Sequence, residues 1–114
     1  MLLDYMLFKL RDLIEKLQVY PENMERNLGL TKGLYFSQSV LLALTRAGAS
    51  RQTAYEAVQR AAMKTWRGDR SLAENAKEEP EIAARLTPNE IDALCSLEIH
   101  FRHIDETFRQ LGLE

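Results

Sequence analysis

His100 and His103 stand three residues apart, a spacing that sets two imidazoles on one face of a helix, with Glu98 and Asp105 as nearby carboxylates. Such a cluster could begin a metal site or an acid–base pair. A metal would need further ligands, and no cysteine or second histidine–carboxylate group lies at ligand spacing elsewhere in the chain. An HxxH pair alone carries little weight, so hydrogen bonding at a surface or between helices is the expected role. Cys95 has no histidine and asparagine set to activate it and is expected to be a small buried thiol. Ser37 and Gln38 sit in an apolar stretch, where the Ser37 hydroxyl is expected to bond back to the Gly33 carbonyl. There is no glycine-rich phosphate cradle and no paired-carboxylate system. The residues therefore nominate no catalytic, cofactor-binding or metal-binding position.

A second kind of chemistry is suggested by LTRAGASRQTAYEAV, residues 44–58, which has the outline of a helix-turn-helix. A leucine-rich helix would end at Ala47–Gly48, and Ser50 would cap the next one. Arg51, Gln52 and Thr53 would then face base edges, with Arg60, Lys64 and Arg67 on phosphates. The net charge of −2, the length of the second helix and its alanines at 54, 57, 61 and 62 argue for packing instead. The expectation is no specific binding to duplex DNA, and at most weak, salt-sensitive contact through those cations.

The elements that would position these groups are all helical. Leu3, Met6, Leu10, Leu13 and Leu17 recur at alternating intervals of three and four, with Leu7 and Ile14 widening the stripe. Arg11/Glu15 and Asp12/Lys16 are i,i+4 pairs on the opposite face. Pro21 ends this pattern, and PENMERN begins a new helix with proline at its first position. Residues 33–47 form a long helix with two apolar sides, one bearing Leu34, Leu41 and Leu44 and the other Phe36, Val40, Ala43 and Ala47, and so need neighbours on both. Gly48 suits a left-handed helix end, and Ser50 caps a helix over 51–67. SLAENAKEEPEIAARL gives two short helices divided at Pro80. Thr87, Pro88 and Glu90 form a capping box. A last helix over about 97–111 is expected to bury Leu97, Phe101, Ile104 and Phe108, with Gly112 ending it. The fold class is all-α.

At 114 residues, 46% apolar and 28% charged, the chain has the composition of one globular domain. No apolar run approaches the roughly 20 residues that span a bilayer. The opening MLLDYMLFKLRD lacks a basic segment and carries Asp4, so a signal peptide is not expected. The single cysteine excludes an intrachain disulfide and favours a reducing cytoplasm. Charge is unevenly placed: residues 31–70 hold seven basic and two acidic side chains, while residues 71–114 hold four basic and ten acidic. The acidic end could neutralise the basic middle.

Several blocks together resemble the C-terminal part of the bacterial adenylosuccinate lyase family. These are Leu3-Asp4-Tyr5-Met6-Leu7, Pro21-Glu22-Asn23-Met24-Glu25-Arg26-Asn27 and the run from Gly33 through Phe36-Ser37-Gln38-Ser39 to Leu44. The likeness continues through Ser50-Arg51, Ala54-Tyr55, Val58-Gln59-Arg60, Ala62-Met63 and Trp66 to Arg102-His103-Ile104-Asp105 and Phe108. That family belongs to the fumarase/aspartase superfamily, and the resemblance implies an all-α homotetramer built around a helical bundle. It implies cleavage of adenylosuccinate to AMP and fumarate, and of the succinylated carboxamide ribotide, by acid–base elimination without cofactor or metal. The family's catalytic histidine, loop serine and substrate-gripping serine–arginine segment lie upstream of the matched stretch, so none maps onto this sequence. Residues 1–20 then look like the end of a central bundle helix, and residues 21–114 like the C-terminal helical domain. The implied role is assembly: self-association through residues 2–18, with the purine nucleotide met only by the complete enzyme and no membrane or specific nucleic-acid partner.

Overall fold

The computed structural model describes residues 1–113, all of whose regular elements are helical. Helix α1 spans Leu2–Glu15 and α2 spans Pro21–Leu30. A 3₁₀ turn, Leu34–Phe36, leads into α3, Ser37–Arg46, and then α4, Arg51–Arg67. The remainder is short: α5 Leu72–Glu78, α6 Pro80–Ala83, α7 Pro88–Leu94, α8 Glu98–Phe101 and α9 Ile104–Gln110.

Local chemistry explains most of these boundaries. The Ser50 hydroxyl accepts from the Thr53 N–H at 3.1 Å and starts α4. Ser71 with Glu74, and Thr87 with Glu90, form reciprocal capping boxes at α5 and α7. Proline occupies the first turn of α2, α6 and α7, where its missing N–H has no partner to lose. Gly48 adopts φ 88°, turning the chain from α3 into α4. Helix α1 stops earlier than its apolar repeat, because Pro21 disfavours helical backbone at Tyr20 and its ring would strike the Leu17 carbonyl.

The core lies among α3, α4, α5, α6 and α7. Val40, Leu44, Leu72, Ile82 and Ile91 are almost wholly removed from water, a gain of about 1.5–3 kcal/mol for each large aliphatic side chain. Ala54, Ala57 and Ala61 form the buried face of α4, so backbones approach where larger side chains would hold them apart. One buried polar contact crosses this core: Asn75 Nδ2 donates to Thr65 Oγ1 at 2.9 Å, and Thr65 donates to the Ala61 carbonyl. Buried polar groups are thereby satisfied, as a low-dielectric interior requires.

Neither α1 nor α2 contributes a buried residue. They form an arm that extends the molecule to 61 × 31 × 27 Å. The radius of gyration is 19.7 Å, where a compact chain of this size would have about 13 Å. The arm joins the domain at a type I′ turn over Thr31–Leu34, in which Lys32 (φ 50°) and Gly33 (φ 83°) are both left-handed and the Leu34 N–H bonds to the Thr31 carbonyl at 3.0 Å. A lysine there costs on the order of 1–2 kcal/mol relative to ordinary backbone.

Two expectations need correction. The helix expected over 97–111 is divided at Arg102–His103, and Phe101, Ile104 and Phe108 are exposed; only Leu97 packs against the core. The apolar period is present, but among the described residues Phe101, Ile104 and Phe108 are left largely uncovered, and an unsupported helix of that length is marginal in water. Ser37 makes no hydrogen bond to the Gly33 carbonyl; that carbonyl accepts from the Phe36 N–H, and the 3₁₀ turn displaces the geometry the hydroxyl would need.

Overfilling the alanine face should separate the helices around it. The substitution Ala57→Leu is expected to destabilise the domain by about 1–3 kcal/mol, read as a lower midpoint in urea denaturation.

Candidate functional site

The cations of α4 are the first group to place. Arg60 Nε lies 2.6 Å from Glu79 Oε1, Arg60 Nη2 lies 2.5 Å from Glu81, and Lys64 Nζ lies 3.2 Å from Glu79 Oε2. Arg70 pairs with Glu78 at 2.7 Å. The basic middle of the chain is thus held against its acidic continuation, through the α5–α6 corner that Pro80 creates. Glu79 is the centre of the network: its side chain is only 4% exposed, and its residue ends α5 and starts α6. Burial alone pushes the Glu79 carboxyl up, but hydrogen bonds from Arg60 and Lys64, with their charges, outweigh it and hold the group below the usual carboxylate range.

This arrangement removes the phosphate contacts that a helix-turn-helix would need from Arg60 and Lys64. Helix α4 also buries Ala54, Ala57, Val58, Ala61 and Thr65, and at its start Gln52 bonds to Glu56 and Thr53 to Ser50. The hairpin at 44–58 is an internal packing element, and the nucleic-acid reading finds no support.

His100 and His103 fall on opposite sides of the α8–α9 break, and both are exposed. His100 stacks on the buried Phe36 ring at 6.0 Å, and His103 Nδ1 lies 3.9 Å from Glu106. Among the described residues, no group of three or more histidine, cysteine or acidic side chains is disposed to hold a metal ion. Cys95 is half-buried against the core, and burial, with Asp92 nearby, pushes its thiol up, away from the thiolate that reacts.

Two further surfaces stand out among the described residues. Ser37, Gln38, Leu41, Tyr55, Val58, Gln59 and Ala62 line an open depression of about 310 Å³ between α3 and α4. Its hydroxyls and amides can exchange hydrogen bonds. The second surface is α1, whose apolar residues are all exposed, Leu10 at 53% and Leu13 at 62%. A patch of this kind on a helix normally marks a contact surface.

Residues 33–111, the stretch containing this core, match the family model described as adenylosuccinate lyase C-terminus. The chain belongs to the adenylosuccinate lyase C-terminus family. Among curated relatives, the adenylosuccinate lyase of Bacillus subtilis (strain 168) is 40% identical over 111 residues, covering 97% of this chain and 26% of that protein. That of Streptococcus mutans serotype c is 38% identical over 112 residues, again 26% of its length. The Aquifex aeolicus adenylosuccinate lyase is 43% identical over 90 residues, 79% of this chain and 21% of that protein. The chain therefore spans about a quarter of the length of the curated relatives it matches.

For an adenylosuccinate lyase C-terminal domain, the informative residues are those that hold helices together and those left uncovered. Sequence reasoning did not anticipate Glu79 as a buried hub. Its signal was available: Arg60 and Lys64 are one helical turn apart, and Glu78-Glu79 precedes a helix-starting proline.

The Glu79 network makes stability depend on acid. The folded value is depressed, so its contribution is fully present above the ordinary glutamate value of 4.5 and is lost as pH falls through the folded value. Replacing Glu79 with Gln is expected to lower stability at neutral pH and to flatten the decline below pH 4.5, measured by urea denaturation across pH.

Proposed function

We propose that the chain works as the C-terminal part of an adenylosuccinate lyase, supplying assembly contacts and an outer wall to the active-site region rather than the reacting groups. In this reading the whole enzyme cleaves adenylosuccinate to AMP and fumarate, and the succinylated carboxamide ribotide likewise, in cytoplasmic purine synthesis. The purine nucleotide meets only the complete enzyme, which works as a homotetramer. Residues 1–20 belong to a central bundle helix and residues 21–114 to the C-terminal domain, with α2 lying against neighbours outside this core. Family membership supports the parentage. One observation carries the assembly role: α1 is apolar along its length and buries none of it.

Each α1 leucine left in water forgoes about 1.5–3 kcal/mol of burial, so helices of this kind associate where they can. The chain is expected to self-associate through residues 2–18, and Leu10→Glu to weaken this sharply by setting a carboxylate in the seam. Sedimentation equilibrium with circular dichroism tests it: helicity should persist in the variant while association is lost. A native chain that stays monomeric at high micromolar concentration would overturn the assembly role.

Elimination needs a base at the carbon-bound proton, an acid at the leaving nitrogen and donors for the carboxylates. The purified chain is accordingly expected to give no loss of adenylosuccinate absorbance. Turnover that co-purified with the chain and disappeared in His103→Ala would place reacting groups within it.

A further inference from the structure

Burial gives little hold on the direction of the arm: no residue of α2 is buried, and Leu30 at its end only borders an open depression with Thr65 and Trp66. What does reach the domain is the turn that follows. The Lys32 carbonyl accepts from the Leu72 N–H at 2.9 Å, and Gly33 sits close to Phe36 and Leu72, where an added Cβ would meet them at 3.5 and 3.9 Å. The Lys32 side chain then crosses to the α4–α5 connection. Its Nζ donates to the Gly68 carbonyl at 2.5 Å and lies 3.6 Å from Asp69. Lys32 is also the only residue other than glycine with positive φ among the described residues. A lysine in a place that favours asparagine or glycine is held there by what its side chain reaches.

We propose that Lys32 is a tether that fixes the angle at which α2, and with it the arm, leaves the domain. Its backbone makes the reversal, and its ammonium anchors the outer edge of that reversal to Gly68 and Asp69. Two attachment points on different sides of a turn define a direction, where one leaves a pivot. The tether would set the direction from which the arm reaches its partners at α2, with α1 joined to it through the non-helical residues 17–20.

The test is a distance distribution in the full chain. Spin labels go on Glu25→Cys in α2 and Arg85→Cys in the domain, in a Cys95→Ser background, with the labelled chain diluted into unlabelled protein so that only intramolecular pairs are read. Native Lys32 should give one narrow distribution. Lys32→Asn suits the left-handed backbone but lacks the ammonium, so the distribution should broaden roughly twofold while helicity and unfolding midpoint stay close to native. Lys32→Arg, which restores a cation of similar reach, should recover most of the narrow distribution. A native width in Lys32→Asn, or a broad distribution already present with Lys32, would overturn the proposal. Failure of Lys32→Arg to recover the width where Lys32→Asn broadens it would also count against the ammonium as the anchor.

Discussion

The close approach of helices to one face of α4 is the constraint on which the domain rests. Ala54, Ala57 and Ala61 place nothing larger than a methyl group between α4 and its neighbours. Larger aliphatics from the surrounding elements, Val40 and Leu44 from α3, Leu72 from α5 and Ile82 from α6, complete the core around them. Small residues on most of the buried face of a central helix and larger ones on its partners let the helices lie close, which is how close packing is reached in a short chain. The buried Asn75–Thr65 bond sits within the same seam and gives it a polar registration point.

That proximity also decides the electrostatics. Bringing α5 and α6 against α4 carries Glu79 under the cations of the last two turns of α4, where one carboxylate serves both Arg60 and Lys64. A buried carboxylate without them would carry a large desolvation cost; with them it is charged and directional. Packing and charge are therefore coupled at the α5–α6 corner.

Much of this was legible in the sequence, and the reasons differ by residue. Ser50, Thr87 and Pro21 signalled helix starts because capping is local chemistry, complete within four residues. The alanines of α4 marked a packed helix because their spacing survives translation into one face. Phe101, Ile104 and Phe108 were misread as buried because periodicity reports which face is apolar and says nothing about whether a partner is present to cover it. Glu79 and Lys32 were not legible as hubs. The local half of the Glu79 site, cations one turn apart and a glutamate before a proline, stood in the sequence, but the partners of Glu79 and Lys32 lie 15 to 37 residues away, and pairing at that range follows from the tertiary path. At the surface left for function, His100 and His103 were close in sequence but are separated by a backbone break that no side-chain pattern announced.

The exposed arm has a consequence for how the chain comes to be folded. Synthesis runs from the N-terminus, so Leu3, Leu7, Leu10 and Leu13 emerge before α4 or any of its core partners exist. The domain can later hide its own apolar residues by local collapse, since its helices are near neighbours in the chain. The arm has no such refuge within the domain, and its leucines stay open to water after that collapse is complete. It is thus the segment most exposed to wrong partners in a crowded cell. The Arg11–Glu15 and Lys16–Asp12 pairs, 3.3 and 2.7 Å across, occupy its other face. Their charges help to keep that helix dissolved while its apolar face is uncovered.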